Sequence, residues 1–301
     1  MTMLAGYDVP RLGLGTLALA VEGRPSRETA IDVIHAALDA GTRYLDTAWS
    51  YYLPTVAGTG TPGDLGYGET LVRDALATWD GPRDQVLVAT KTGWRRTWDP
   101  TTGRYGWKAD ARPETMAADA RQSAQRLGVD TLDLLYSHCD DPQLPYVEQM
   151  EVLRDLVDAG VARYAGVSRV GAEDIDIARR ILGDRLVAVQ NMYSPAFLDP
   201  EGTFAHVRSL GLAFVCFSPL GGFLDPVDER AFAGFEEVAR RRGCSRQRVV
   251  LAWELARDPG LFVIPSARSV AEAREDREAV GLRLTEDELA TLPPYSADSA
   301  V

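Results

Sequence analysis

Four polar side chains fall at or just beyond the ends of successive apolar runs: Asp46 and Tyr51, then Lys91, then His138. The segment GTRYLDTAWSY (41–51) carries Asp46 with Tyr51 five residues later, VLVATK (86–91) ends on Lys91, and LDLLYSH (132–138) ends on His138. These types make an acid–base set. A free tyrosine titrates near about 10, so it neither gives nor takes a proton readily until its surroundings tune it. A neighbouring ammonium favours tyrosinate and lowers that value, and a carboxylate keeps the ammonium charged and in place. Arginine is a poor substitute there, because its planar fork is bulkier and its charge more delocalised. The chain otherwise prefers arginine: of 32 basic residues only Lys91 and Lys108 are lysines. Singly, each residue has an ordinary explanation, Asp46 as a helix cap, Lys91 as a snorkelling core residue, Tyr51 as a loop aromatic, His138 as a satisfied core group. The ordered set at strand ends is what points to a site.

The elements that must position them alternate along the chain. Apolar runs that predict strands lie at 11–15, 43–48, 86–91, 132–138, 164–168, 186–191, 213–218 and 261–265. Amphipathic stretches that predict helices lie at 26–40, 112–127, 146–159, 172–182, 228–242, 246–257, 269–280 and 285–292. Ser26 is a fitting N-cap, and Pro113 with Gly128 shows the usual start-and-stop asymmetry. Alternation of this kind is the βαβ signature of a parallel sheet, and with no linker dividing it we expect a single (β/α)8 TIM barrel domain over 1–301. Two stretches rich in Gly, Pro, Thr and aromatics, 51–66 and 93–110, are expected as long loops. Both follow strand C-termini, the face where barrels build active sites. Trp49, Trp94, Trp98 and Trp107 lie near or within them and are available to line a wall.

Composition excludes several partners. With 44 acidic against 32 basic residues the formal charge is -12, which repels nucleic acid and anionic membranes. No apolar run reaches membrane-spanning length and the first residues lack a signal-peptide core, so a cytoplasmic protein is expected. Three scattered cysteines and three histidines suggest neither a disulfide framework nor a metal site. The expected partner is a small molecule.

The ordered Asp46, Tyr51, Lys91 and His138 set resembles the aldo-keto reductase family, and the resemblance runs from LGLGT (12–16) to LTEDEL (284–289). It implies an NAD(P)-dependent oxidoreductase that reduces an aldehyde or ketone, sugar-like among the options, by hydride transfer. Tyr51 would give the proton, Lys91 and Asp46 would tune it, and His138 would orient the carbonyl oxygen. The family usually runs from its tyrosine directly into Gly and the next helix. Here Tyr52 follows Tyr51, and GYGET (66–70) comes only after an insertion, so Tyr52 and Tyr67 compete for the proton-donor place.

No Gly-x-Gly-x-x-Gly loop opens a βαβ unit, so a Rossmann domain is not expected. By the resemblance, Gly15, Thr16 and Leu17 make the first backbone contact with the dinucleotide, and Asp46 also faces it. Ser168 and Arg169 in AGVSR, with Gln190 in VQN, take the nicotinamide carboxamide. Phe217 in CFSPLGG stacks on the ring, while Ser218, Leu220 and Gly221 wrap the pyrophosphate. Arg169 departs from the family's Asn, and a guanidinium cannot accept a hydrogen bond. At the adenosine end, FVIPSARSVAEARED (262–276) supplies Ser266, Arg268, Glu275 and Asp276, with Ser266 and Glu272 where the family has cations. Arg268 and Arg274 tip the choice towards NADP over NAD. Two alternatives share these features: an NAD-dependent aldose 1-dehydrogenase, and a cofactor-binding regulatory barrel resembling potassium-channel β subunits.

Overall fold

Eight parallel strands, separated by helices, pair in the order of the chain and curl back on themselves. The computed structural model describes residues 2–54, 60–101, 103–199, 201–222 and 227–293, so 55–59 of the stretch 51–66 lie outside the described residues. In chain order the strands are β1 (Thr2–Leu4), β2 (Tyr7–Val9), β3 (Leu14–Gly15), β4 (Tyr44–Asp46), β5 (Leu87–Thr92), β6 (Trp94–Asp99), β7 (Arg104–Ala109), β8 (Leu132–Ser137), β9 (Ala162–Ser168), β10 (Leu186–Met192), β11 (Ala213–Phe217) and β12 (Leu261–Val263). β3, β4, β5 and β8 to β12 form the barrel. Gly13 and Gly15 donate to the carbonyls of Val263 and Pro265 at 2.9 and 2.8 Å, and Val263 donates to Arg11 at 2.8 Å, which closes the sheet. The TIM barrel expected from the alternation is present, with each strand inside its predicted window or within two residues of it.

Helices cover the outside: α1 (Arg27–Asp39), α2 (Tyr67–Thr78), α3 (Pro113–Leu127), α4 (Tyr146–Asp158), α5 (Ala172–Leu182), α6 (Thr203–Ser209), α7 (Ala233–Arg242), α8 (Arg246–Arg257), α9 (Val270–Glu278) and α10 (Glu286–Thr291). Local chemistry sets their ends. Ser26 accepts from Thr29 N, Pro113 opens α3, and Gly128 closes it in the left-handed region. α2 and α6 stand beyond the eight predicted helices. β5 and β8 are buried at every position, as strands covered on both faces must be.

The barrel interior is filled by Tyr44, Leu87, Leu134, Tyr136, Val215 and Phe262, and Leu4 and Val9 of the β1–β2 hairpin join this cluster. Tyr136 needs Gly166 on the neighbouring strand: a Cβ there would lie 2.3 Å from the Tyr136 ring. The stretch 93–110, expected as a loop, is the antiparallel hairpin β6–β7, whose register sets Arg96 opposite Trp107 and Trp98 opposite Tyr105. Cross-strand aromatic and cation pairs stabilise it in place of a buried face. Among the described residues no helix is long and apolar enough to cross a membrane.

Candidate active site

The carboxyl ends of β4, β5 and β8 bring the sequence-predicted set together. Asp46 is the last residue of β4, Lys91 the penultimate residue of β5, and His138 follows β8 directly. Lys91 is fully buried, ion-pairs with Asp46, and donates to the Thr47 carbonyl at 2.7 Å and the Tyr51 hydroxyl at 3.3 Å. Tyr51 comes from the turn after β4, which is held by Gly68 N donating to its carbonyl at 2.9 Å. His138 meets Tyr51 edge-on, ring centroids 5.8 Å apart.

Of the three tyrosines, Tyr51 is the one that meets Lys91. Tyr67 lies beneath the guanidinium of Arg24, 3.7 Å from its ring centroid. Tyr52 packs edge-on to Trp49 and takes a backbone hydrogen bond from Arg96.

Electrostatics adds a correction. The sequence reading lowers the tyrosine pKa through Lys91. Burial instead pushes the Tyr51 phenol up, and the opposing pull of Lys91 does not overcome it, so Tyr51 is protonated. For Lys91, burial acts downwards, yet Asp46 and then Tyr51 more than offset it, and the ammonium stays charged. His138 is driven well below its usual value, by burial first and then by Lys91 and Arg169, and is neutral. Its Nδ1 is buried with no partner, which favours the tautomer carrying the proton on Nε2.

Asp46 is braced from several sides. Gln190 donates to its second carboxylate oxygen at 2.8 Å, the Tyr44 hydroxyl lies at 3.4 Å, and Thr16 donates to its carbonyl through both N and Oγ1. Tyr44 was not among the predicted site residues. It stands two positions before Asp46 on one strand, so the two-residue period already puts both on one face. Gln190, expected at the carboxamide, is bonded to Asp46 here.

Gly15 and Thr16 are buried beside Asp46, with Leu17 half-buried after them. Ser168 is buried, and Arg169 emerges into the mouth with a left-handed φ of 59°. Phe217 is half-buried at the end of β11; Ser218 and Gly221 turn the backbone with φ of 52° and 90°. Half-buried Leu220 lies between them. At the far end Ser266 faces Gly15, and Arg268 runs past Gly23. Glu275 is engaged by Arg248 and by Ser245, the latter at 2.6 Å. Asp276 is buried, and burial with Glu272 and Glu275 pushes its carboxyl up to about 7. Glu272, which stands where the family has a cation, accepts from Arg268 N at 2.7 Å and so serves the start of α9.

The hairpin adds the wall that the sequence had placed in a loop. Trp94 sits against His138, centroids 4.5 Å apart, and stacks on Trp107 at 5.3 Å. Arg95 grips Asp119 of α3 with two hydrogen bonds of 2.5 and 2.8 Å, and Arg96 pairs with Glu22. The hairpin is thus tied down on both sides of the mouth.

The chain is similar to known proteins over nearly its whole length. A family model described as the aldo/keto reductase family matches residues 11–294. Pyridoxine 4-dehydrogenase of Escherichia coli is 31% identical over 98% of both chains. A 6-dehydroglucose reductase of Novosphingobium aromaticivorans is 31% identical over 93% of this chain and 89% of its own. An aldo/keto reductase from Klebsiella pneumoniae, solved with NADP and acetate, superposes with a TM-score of 0.72 at 26% identity, covering 94% of this chain and 89% of its own. A buried acid–lysine–tyrosine chain at the mouth of such a barrel, within a match this complete, leaves one assignment: the chain belongs to the aldo/keto reductase family and is an NAD(P)H-dependent oxidoreductase.

Proposed function

We propose that this enzyme reduces the aldehyde or ketone of a small polar molecule to an alcohol, with Tyr51 as proton donor and residues 1–301 acting as one catalytic unit. The observation that carries this reading is the buried Asp46–Lys91–Tyr51 chain beside a neutral His138. When bound, the reduced nicotinamide supplies hydride to the carbonyl carbon. Tyr51 delivers its proton to the carbonyl oxygen, and Lys91 stabilises the negative charge left on the phenol. Asp46 holds Lys91 charged and in place. His138 donates through Nε2 to the same oxygen and fixes its direction.

The mouth fits a dinucleotide in this reading. Phe217 offers a half-exposed ring for a flat partner, and the left-handed backbone at Ser218 and Gly221 suits close approach of a pyrophosphate. In this reading Gly15, Thr16, Leu17 and Ser168 also meet the dinucleotide. NADPH is the preferred form, supported by exposed Arg268 and Arg274 and by the NADP held in the Klebsiella relative. The acidic trio Glu272, Glu275 and Asp276 opposes it and keeps the preference modest. Relatives named for pyridoxine and for 6-dehydroglucose support a small polar substrate.

The test follows loss of reduced-cofactor absorbance with NADPH and NADH against aldehydes, ketones and free sugars. Carbonyl-dependent oxidation is expected in wild type and its near-loss in Tyr51→Phe. No carbonyl-dependent rate in wild type, or a wild-type rate in Tyr51→Phe, sinks the reading.

A further inference from the structure

We propose that Arg169 makes this enzyme selective for carbonyl compounds that also carry a carboxylate, its guanidinium binding that group beside the reacting oxygen. The inference rests on the carbonyl-reduction reading and names its substrate class.

Arg169 is the first residue past β9. Its guanidinium carbon lies 4.6 Å from the ring centroids of both Trp94 and Phe217. Trp94 in turn contacts His138, and the charge of Arg169 is felt by both His138 and Tyr51. The cation therefore stands within the reacting pocket, where burial pulls its pKa below the usual value, while the residue as a whole reaches solvent at the mouth.

No carboxylate compensates it. Among the described residues no Asp or Glu lies within ion-pair distance of Arg169, in a chain where 44 acidic residues face 32 basic ones. The other pocket cation, Lys91, is already matched by Asp46. The side chains around Arg169 (Trp94, Phe217, His138 and Tyr51) are all uncharged. An incoming carboxylate would compensate the charge of Arg169.

The backbone holds Arg169 there at a cost. A φ of 59° is uncommon for a residue with a side chain, and such conformations persist where surrounding structure enforces them. Asn191 does so: its Oδ1 accepts from Val170 N at 3.2 Å and its Nδ2 donates to Val170 O at 2.8 Å, while Arg169 N donates to Gln190 O at 3.2 Å. The family resemblance expects a carboxamide partner here, but a guanidinium only donates. Its planar fork instead matches the two oxygens of a carboxylate. A nicotinamide stacked on Phe217 would leave the guanidinium its Trp94 face.

The experiment compares kcat/KM for 4-carboxybenzaldehyde and the similarly shaped, uncharged 4-nitrobenzaldehyde. Wild type should favour the carboxylate by about tenfold or more, the usual worth of a charge-assisted hydrogen bond. Arg169→Gln should bring the ratio near one, and Arg169→Glu should turn preference towards a trimethylammonium-substituted benzaldehyde. A second readout needs no turnover: benzoate, but not benzamide, should quench the tryptophan fluorescence of the cofactor-bound wild type, and Arg169→Gln should lose that response. Equal kcat/KM in wild type, or a ratio unmoved in both variants, overturns the proposal. An unmoved ratio with cofactor affinity about tenfold weaker in Arg169→Gln overturns it too, by assigning the guanidinium to the nicotinamide. If neither aldehyde turns over yet benzoate binding depends on Arg169, the anion site stands and the carbonyl-reduction reading falls.

Discussion

The Lys91 ammonium points at the Tyr51 hydroxyl across 3.3 Å, and both residues are buried. Little water screens that contact, so the ammonium acts most strongly when the phenol becomes an anion, which is after proton transfer. The same burial keeps the phenol protonated beforehand. One pair of side chains thus favours a charged product without forming it early.

Removing either member separates chemistry from stability. Tyr51→Phe should lower kcat by about 10² to 10⁴, the range general acid catalysis supplies, with cofactor affinity near wild type by fluorescence titration. Lys91→Met should be as damaging to kcat and also cost about 3–5 kcal/mol in urea unfolding, because Asp46 is left charged and buried. The double variant with Asp46→Asn should recover much of that stability and none of the activity. A Lys91→Met enzyme of normal rate would remove Lys91 from the mechanism.

The pH profile follows from the directions of two shifts. Tyr51 is raised, so the protonated acid persists through neutral pH and is lost only above the usual tyrosine value of about 10. His138 is lowered, so it stays neutral well below its usual 6.5. The kcat/KM for reduction should be flat between about pH 6 and 9. For stability, a lowered folded-state value means that unfolded histidine takes the proton first. Stability is present above about 6.5 and declines as pH falls towards the folded value. His138→Gln should remove that part of the acid loss in Tm, and an unchanged acid slope would argue against a buried neutral imidazole.

On the α3 side, the hairpin wall is held by Arg95. Asp119 is buried and Arg95 gives it two hydrogen bonds. Arg95→Ala leaves that carboxylate with no cation and only the 3.3 Å hydrogen bond from Thr92, and should cost about 3 kcal/mol by urea unfolding, with KM raised as Trp94 loses its anchorage. Pairing the change with Asp119→Asn should restore most of the stability while KM stays high. A normal KM in both variants would mean that Trp94 does not border the substrate.

The sequence announced the barrel and the meeting of Asp46, Lys91 and His138, because both follow from periodicity and from strand-end position. It could not sort Tyr51 from Tyr52 and Tyr67, because that depends on which ring Arg24 and Trp49 take up. The hairpin was hidden for a related reason. Trp94, Trp98 and Trp107 look like loop aromatics until the register sets Arg96 opposite Trp107 and Trp98 opposite Tyr105. The net direction for Tyr51 was also out of reach, since it weighs burial against a neighbour. Spacing reveals the neighbour and not the burial.

Cofactor choice should depend on pH through Asp276. Its carboxyl titrates at about 7, raised by burial and by Glu272 and Glu275, the last partly neutralised by Arg248. As pH rises through that value the adenosine end gains a negative charge, which repels a 2′-phosphate and leaves a ribose hydroxyl nearly indifferent. The NADPH-to-NADH Kd ratio should therefore increase from pH 6 to pH 8. Asp276→Asn should flatten that rise, and the comparison with wild type cancels the phosphate's own ionisation near about 6. Stability has its own sign. A raised folded value means stability is present below the unfolded carboxylate value and is lost as pH rises through about 7, so Asp276→Asn should raise Tm more at pH 8 than at pH 5. Arg268→Ala should act oppositely on the cofactor, weakening NADPH by about 2 kcal/mol and hardly touching NADH, if its charge meets the phosphate directly. Should the Kd ratio stay level across this pH range in wild type while Arg268→Ala changes neither affinity, the phosphate lies away from these residues, and NADH becomes the better reading.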